Sequence, residues 1–398
     1  MPSPDLLTRS VAKVIPQKLA EEKLASGKKL RVYWGIDPTG TRMHLGHTIP
    51  MRKLMQFANQ GHHAILLIGS FTAMLGDPSD KDAMRKPLTR EQVQANFQSY
   101  KEQAGKVLDF SKIEIRYNDE WLSKLTYDDI MKHASLFTVQ QMEQRETFER
   151  RMKAGNPLGV HEFFYPLMVG YDSVVLDVDC EIGGTDQEFN MLAGRTMQKA
   201  FGKREKFVLT TPLIEGTDGR LMSKTYDNCI WLQDSAKDMY GKLMSVKDEL
   251  IVPYLECVTE MPMAEIKEIE KSLKKGSNPK EAKMRLAREV VALYHGAEAA
   301  KHEDDQFTKV FSQHELPEDI KEVKVEKGSL VIDILVKQKL VTSKGEARRL
   351  IEQGGVHLND KTVKGIDATV ESGLTPEALA KGVVLKVGKR KFLRIHIM

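Results

Sequence analysis

Two histidines lie three residues apart in MHLGHTIP, residues 43–50, with Gly46 directly before the second. His44 and His47 can do one of three things: ligate a metal, pack at a helix start, or hold a phosphate. The metal reading is the weakest, because no Glu follows in HExxH spacing and no Cys lies nearby. His62 and His63 are adjacent, so on a strand they point to opposite sides and not toward one ion. Context favours a phosphate over simple packing. The pair follows RVYWGID and the loop PTGTR, residues 31–42, where a strand gives way to a helix. At such a junction amide N–H groups and the helix dipole hold nucleotide phosphates. Gly46 lets another group approach the backbone. Imidazole N–H groups add donors for charge that grows only in a transition state.

Two further segments carry chemistry. DGRLMSKTYDN, residues 218–228, is polar and sets Lys224 between Ser223 and Thr225. As a mobile loop it can close a lysine and hydroxyls over a triphosphate. Read alone, it is more often an exposed lysine in a surface loop. IGGTDQ, residues 182–187, places two glycines at a strand end, with Asp186 positioned to accept from ribose hydroxyls. The plain alternative is a Gly-Gly turn with Asp186 as a helix N-cap.

The elements that must carry these residues alternate. RVYWGID and HHAILLIG read as strands, the second buried on both faces, with a helix HTIPMRKLMQFANQG between them ending at Gly61. A Gly76–Asp77–Pro78 loop, a polar helix near 89–107 and a strand KIEIRYN follow. Helices are expected over 127–154 and 164–173, then a strand SVVLDVDCEI and a helix EFNMLAGRTMQKAFG. Residues 1–30 read as a polar amphipathic helix and a turn. The alternation predicts an α/β fold, a Rossmann-like parallel sheet with ligands at the strand C-terminal ends.

From about residue 236 helical periodicity takes over. NPKEAKMRLAREVVALYHG carries Asn278 as N-cap, Pro279 at the first helical position and Gly296 as terminator. The expected organisation is a sheet domain over 1–235, an α-helical domain over 236–316, a charged linker over 317–328 and a small α+β domain over 329–398. In the last, SLVIDILVKQKL and SKGEARRLIEQGG read as helices, the second with a capping box from Ser343 to Glu346. VHLNDKTV and VVLKVGKRKFLRIHI read as strands.

The chain has 398 residues, 41% of them hydrophobic, which fits folded domains and not disorder. No apolar run reaches the roughly 18 residues of a membrane span. The first thirty residues lack an apolar targeting core and contain acids, so a cytoplasmic protein is expected. Cys180, Cys229 and Cys257 are isolated, which excludes a disulfide framework and a Cys-rich zinc site. Net charge is +4, but residues 328–398 carry 13 Lys/Arg against 7 Asp/Glu. A basic tail on a near-neutral body points to a polyanionic partner.

Together the segments resemble one family. HLGH resembles the HIGH motif of class I aminoacyl-tRNA synthetases, and LMSKT resembles their KMSKS loop. VYWGIDPT, GDPS, FFYPLMVGYD and GGTDQ, in this order and spacing, resemble the tyrosyl-tRNA synthetases. SKGEARRLIEQGGVHLND with VGKRKFLRI resembles the S4-type RNA-binding domain of the bacterial-type enzymes. The resemblance spans nearly the whole chain.

It implies that L-tyrosine attacks the α-phosphorus of ATP, with Mg2+ accompanying the nucleotide, and that the tyrosyl group then passes to the terminal ribose of tRNA(Tyr). By the same resemblance Gly35, Asp37, Thr39, His44, Gly46 and His47 contact ATP, and Gly184 and Asp186 its ribose. Lys224 and Thr225 grip the leaving pyrophosphate, with Lys81 and Arg85 as further cations. Tyr33 and Asp172 bind the substrate phenol, Asp77 and Tyr165 its ammonium, and Gln187 lies near its carboxylate. A homodimer is implied, with residues 127–165 as the candidate interface. Arg348, Arg349, Lys389, Arg390, Lys391 and Arg394 form the expected RNA face of the tail, and Lys203, Arg204 and Lys206 are candidates for the acceptor arm.

Two positions depart from the pattern. Val169 replaces the Gln of YxxxQxxD beside the ammonium, and Leu221 replaces the first lysine of KMSKS. Three rival readings follow: a tryptophanyl enzyme, an adenylyltransferase acting on no tRNA, and an RNA-binding or splicing protein on a degenerate synthetase body. Tyr33 with Asp172, the GGTDQ string and the tail argue against the first. The helical domain and tail have no evident role in the second. His44, His47, Asp186 and Lys224 all remain in place, against the third.

Overall fold

The computed structural model describes residues 6–76, 88–223, 226–312, 320–375, 379, 382–388 and 391–398. Two compact units divide the chain, Met1–Ala300 and Lys301–Met398. In the first, β1 (Lys13–Ile15), β2 (Arg31–Ile36), β3 (His63–Ile68), β4 (Ile113–Tyr117), β5 (Cys180–Gly184) and β6 (Phe207–Thr211) form one sheet in the order β1-β6-β5-β2-β3-β4. Strands β2 to β6 pair in parallel, and the short β1 closes one edge antiparallel to β6. From β2 the chain steps outward through β3 to β4, then returns to β5 on the other side of β2. The order therefore reverses between β2 and β5, and the crevice beyond their carboxyl ends is where ligands bind in such sheets.

Ten helices link these strands: α1 (Gln17–Ala25), α2 (Leu45–Asn59), α3 (Thr72–Leu75), α4 (Arg90–Ala104), α5 (Asp119–Leu122), α6 (Tyr127–Ala134), α7 (Val139–Glu143), α8 (Glu146–Lys153), α9 (Tyr165–Leu176) and α10 (Glu188–Ala200). Helix α2 starts at His44, whose extended backbone makes it the N-cap, and buries Leu45, Ile49, Leu54 and Phe57. It ends before Gly61, whose φ of +82° lies in the left-handed region that glycine accepts. Helices α9 and α10 approach closely at two glycines. A Cβ on Gly170 would lie 2.4 Å from Met197 Sδ, and one on Gly194 would lie 2.6 Å from both Ser173 Oγ and Lys206 Nζ.

Four features differ from the sequence reading. SVVL, expected as strand, is the last turn of α9, and β5 begins only at Cys180. A helix buried on most sides reads like a buried strand. Here Asp177, with φ of 46°, ends the helix in the left-handed conformation. Strands β1 and β6 were not expected, the first because it has only three residues, the second because the basic GKREK precedes it. Residues 127–153 form three helices, two of them capped by Thr126 and Thr138. Residues 321–325, assigned to a linker, form a strand of the second unit: Val323 and Val325 alternate with charges and pack on its core.

Beyond residue 235 lie α11 (Ala236–Leu243), α12 (Ile251–Val258), α13 (Met263–Lys274), α14 (Pro279–His295) and α15 (Ala297–Ser312). The first four belong to the same compact unit as the sheet. Arg9 donates to the carbonyls of Thr259 and Met261 at 2.8 Å, and the Tyr254 hydroxyl donates to the Glu215 carbonyl. Asn278 caps α14 as expected.

The second unit is a sheet of β7 (Lys321–Val325), β8 (Val356–Leu358), β9 (Lys361–Thr362), β10 (Val383–Val387) and β11 (Lys391–Ile397) in the order β7-β11-β10-β8-β9. Its core joins Leu385, Leu393 and Ile395 to α16 (Val331–Lys337) and α17 (Lys344–Glu352). Ser343 caps α17 as expected, while Glu346 reaches past it to the Thr342 N–H.

Candidate active site

The pairing of β2 with β5 ends at Trp34 and Ile182, so the two backbones part at Gly35 and Gly183. Gly35 is exposed although β2 is a central strand. A Cβ there would meet protein atoms only at 3.8 Å or beyond. The glycine therefore keeps open space over the sheet, space a ligand can use. On the β5 side, a Cβ on Gly184 would lie 2.3 Å from Asp186 Oδ1. Asp186 is exposed at the rim and accepts from Gln187 Nε2 at 3.0 Å, while Gln187 Oε1 accepts from Asn190.

Opposite stands the HLGH turn. The His44 backbone N–H donates to His47 Nδ1 at 3.1 Å, and the two rings lie 3.9 Å apart. Because Nδ1 accepts, the proton of neutral His47 resides on Nε2, as a donor. A Cβ on Gly46 would press within 3.0 Å of the His44 ring. The turn is stitched to the segment that follows Lys224 and Thr225. Leu45 N–H donates to the Ile230 carbonyl and Leu232 N–H to the Met43 carbonyl, both at 2.9 Å. The base of that loop is tied by buried Asn228. Its Nδ2 donates to Asp218 at 2.7 Å and to the carbonyls of Arg220 and Leu221, and its Oδ1 accepts from Ser223 N–H. Asn228 and the Arg220 backbone hold the Asp218 carboxyl at about 2.

The deep side of the crevice is a hydrogen-bonded chain. Tyr165, Val169 and Asp172 share one face of α9, at positions i, i+4 and i+7. Tyr165 donates to Asp37 Oδ2 at 3.0 Å, and Thr72 donates to Asp37 Oδ1 at 2.7 Å. Asn118 Nδ2 donates to Thr72 and to Asp172 Oδ2, and Trp121 Nε1 donates to Asp172 Oδ1 at 2.7 Å. Burial pushes the Asp172 carboxyl well above the usual carboxylate range despite those two donors. Tyr33 is 1% exposed. Its hydroxyl meets Ser173 Oγ at 3.0 Å and has no direct hydrogen bond to Asp172. Burial, then the Glu181 and Asp172 charges, push its phenol well above the ordinary value. Thr39 lies on the loop after β2, its N–H bonded to the Asp37 carbonyl.

Comparisons with known proteins agree on one family. Residues 25–312 match the family model "tRNA synthetases class I (W and Y)", and residues 312–395 match "Tyrosine--tRNA ligase SYY-like C-terminal domain". The tyrosine–tRNA ligase of Moorella thermoacetica is 43% identical over 98% of this chain and 95% of that one. That of Thermotoga maritima is 43% identical over 98% and 96%. The chain belongs to the tyrosine–tRNA ligases. They are class I aminoacyl-tRNA synthetases, whose reaction is the ATP-dependent attachment of tyrosine to tRNA. A C-terminally truncated mitochondrial tyrosyl-tRNA synthetase of Coccidioides posadasii superposes with a TM-score of 0.59 at 26% identity, over 74% of this chain and 88% of that one. The archaeal enzyme of Archaeoglobus fulgidus, crystallised with L-tyrosine, shares the fold with a TM-score of 0.61 at 22% identity, over 75% and 98%.

Within this ligase the crevice gathers Tyr33, Gly35, Asp37, Tyr165, Val169 and Asp172 on one side of the sheet end, Gly184, Asp186 and Gln187 at β5, and His44, Gly46 and His47 at α2. Asp77, Lys81, Arg85, Lys224, Thr225, Lys389 and Arg390 lie outside the described residues. Sequence reasoning missed Thr72, Asn118, Trp121, Ser173, Glu181 and Asn228, all of which bond a site residue or the loop base. It also misread Lys206. That lysine is no surface contact: its ammonium is buried against Glu181, also donates to Ser173 at 2.8 Å, and burial lowers its pKa. Arg204 pairs with Asp177 and Asp179, and Lys203 is exposed.

In the tail, Arg348 and Arg349 are exposed on α17. Lys391 Nζ reaches the Leu340 carbonyl at the α16–α17 turn. Arg394 lies between the core residues Leu393 and Ile395, so it faces away from α17 and toward Glu322 on β7. Among the described residues, the expected RNA contacts are therefore split between two faces.

Proposed function

We propose that this chain forms tyrosyl-adenylate in the crevice over Gly35. The observation that supports the reading is the backbone stitching of Met43–Leu45 to Ile230–Leu232, the segment that follows LMSKT in the chain. His44 and His47 stabilise the charge on the α-phosphoryl group as the tyrosine carboxylate attacks. Catalysis is positioning and electrostatics, with no covalent enzyme intermediate. ATP enters with Mg2+, held by phosphate oxygens and water. Its ribose lies on Gly184 and Asp186. Lys224, Thr225, Lys81 and Arg85 draw off the pyrophosphate. The substrate phenol lies against Tyr33 and Asp172, its ammonium near Asp77 and Tyr165, and its carboxylate near Gln187. Asp37 and Thr39 complete the ATP contacts.

The second step delivers tyrosine to tRNA(Tyr). Arg348, Arg349, Lys391 and the residues beside them offer the tail's phosphate contacts, and the helices of 236–316 reach toward the anticodon arm. Exposed Tyr127, Met131, Val139 and Val160 support residues 127–165 as a homodimer interface. The ligase works in the cytoplasm. Amino-acid-dependent ATP–pyrophosphate exchange tests the first step. Exchange is expected with tyrosine and not with tryptophan or phenylalanine. Absence of exchange with all three, in a folded preparation that binds ATP, would leave an RNA-binding protein on a retired synthetase body.

A further inference from the structure

We infer that the buried Lys206–Glu181–Ser173 chain is a positioning device that fixes the hydrogen-bond direction of Tyr33 and makes the phenol end of the pocket demand a donor. The inference rests on the reading of Tyr33 and Asp172 as the phenol site.

The reasoning starts at one hydroxyl. Ser173 is fully buried, with three polar partners: Glu181 Oε2 at 3.2 Å, Lys206 Nζ at 2.8 Å and the Tyr33 hydroxyl at 3.0 Å. A serine hydroxyl has one proton to give and two lone pairs to fill. An ammonium only donates and a carboxylate only accepts. In this ion pair the serine proton therefore goes to Glu181, and one lone pair accepts from Lys206. The remaining lone pair can only accept, so Tyr33 gives its O–H inward, to Ser173 or to the Glu181 carboxylate beside it. What Tyr33 then offers a ligand is lone pairs alone.

The opposite wall agrees in sign. Both Asp172 oxygens accept, from Trp121 and from Asn118, which orients the carboxylate as a further acceptor. Gly194 seals the network: a Cβ there would strike Ser173 Oγ and Lys206 Nζ at 2.6 Å, so α10 closes directly over it. With water excluded, an unmade hydrogen bond at this end has no substitute partner. A para-hydroxyl brings the one proton that neither wall supplies. Phenylalanine and 4-fluorophenylalanine, which have no donor there, leave it unsatisfied. None of the three network residues touches substrate in this reading.

The test is a change of direction without a change of shape. In Glu181→Gln with Lys206→Met no ammonium holds the amide oxygen toward the network, so the amide can donate to Ser173, whose proton is then released to Tyr33, and Tyr33 turns its own proton into the pocket. A second variant, Lys206→Met with Glu181→Leu, removes both charges together and so leaves neither unpaired. Pyrophosphate exchange is measured for L-tyrosine and 4-fluoro-L-phenylalanine. In each folded variant the preference for tyrosine, as a ratio of kcat/KM, is expected to fall by about tenfold or more. The kcat with saturating tyrosine and the KM for ATP are expected to stay within about threefold, the pattern of altered ground-state recognition. A purely structural role would lower the melting temperature and leave the ratio alone. An unchanged ratio in either folded variant overturns the inference. Tyr33→Phe separates the two levels: if it leaves the ratio intact, the phenol-site reading fails. If it lowers the ratio while the network variants do not, only the inference fails.

Discussion

At the phenol end of the crevice, Asp172 and Tyr33 are nearly sealed, and each polar atom has a partner fixed by packing: Trp121, Asn118 and Ser173. At the proposed phosphate end, Gly35 and Asp186 are exposed, and His44 and His47 are half-buried at a helix start. Recognition of a small, neutral hydroxyl needs acceptors that cannot move, because one hydrogen bond decides between tyrosine and phenylalanine. A triphosphate must enter, react and leave, so its contacts are placed at helix and strand ends where backbone donors stand open. On the proposed site assignment, selectivity is built into the core, and chemistry onto its rim.

The contrast gives an order of effects. The largest is expected at the rim. His47→Ala removes a donor to the developing charge and should slow steady-state exchange by about 100- to 1,000-fold. Tyrosine affinity measured without ATP should hold; a matching loss of affinity would mean that the two ends are one site. Asp172→Asn comes next. It removes a buried carboxyl acceptor, and leaving a buried polar partner unmet costs about 1–3 kcal/mol, so kcat/KM for tyrosine should drop by about 5- to 150-fold. Equal losses for tyrosine and phenylalanine in that variant would remove Asp172 from the phenol site.

Val169 probes the seam between the ends. It lies one turn from both Tyr165 and Asp172 and gives the ammonium no acceptor. Val169→Gln should lower the tyrosine KM by about tenfold, the gain of one charge-assisted hydrogen bond. Unchanged kinetics would show that Asp77 and Tyr165 already satisfy the ammonium. The smallest effect is one of pH on stability. The Asp172 carboxyl is pushed up by burial. The folded chain therefore keeps that proton to higher pH than the unfolded chain, and stability is lost as pH rises from the ordinary carboxylate range toward the raised value. Asp172→Asn lacks this slope, so its urea midpoint relative to the parent should improve between pH 5 and pH 8. A difference that stays constant would mean an ordinary carboxyl.

The two ends also differed in how far they could be read from sequence. HLGH and GGTDQ are short and contiguous, the first following strand β2 and the second at the end of β5, so both motifs could be placed from the sequence. The core was only half legible. Tyr33 and Asp172 were singled out through family resemblance, but their partners are 51 to 140 residues away in sequence. A buried ion pair has no local signature, and Lys206, in the basic stretch GKREK, read as a surface contact. The α9 turn SVVL misled for the same reason: burial on most faces erases the periodicity that separates helix from strand.

The most direct test of the separation is single-turnover adenylate formation by Lys224→Ala across a range of tyrosine concentrations. If the phenol end is preformed and the phosphate end acts on the transition state, the maximal rate falls while the half-saturating tyrosine concentration stays where it was. A rise in that concentration in proportion to the lost rate would contradict it.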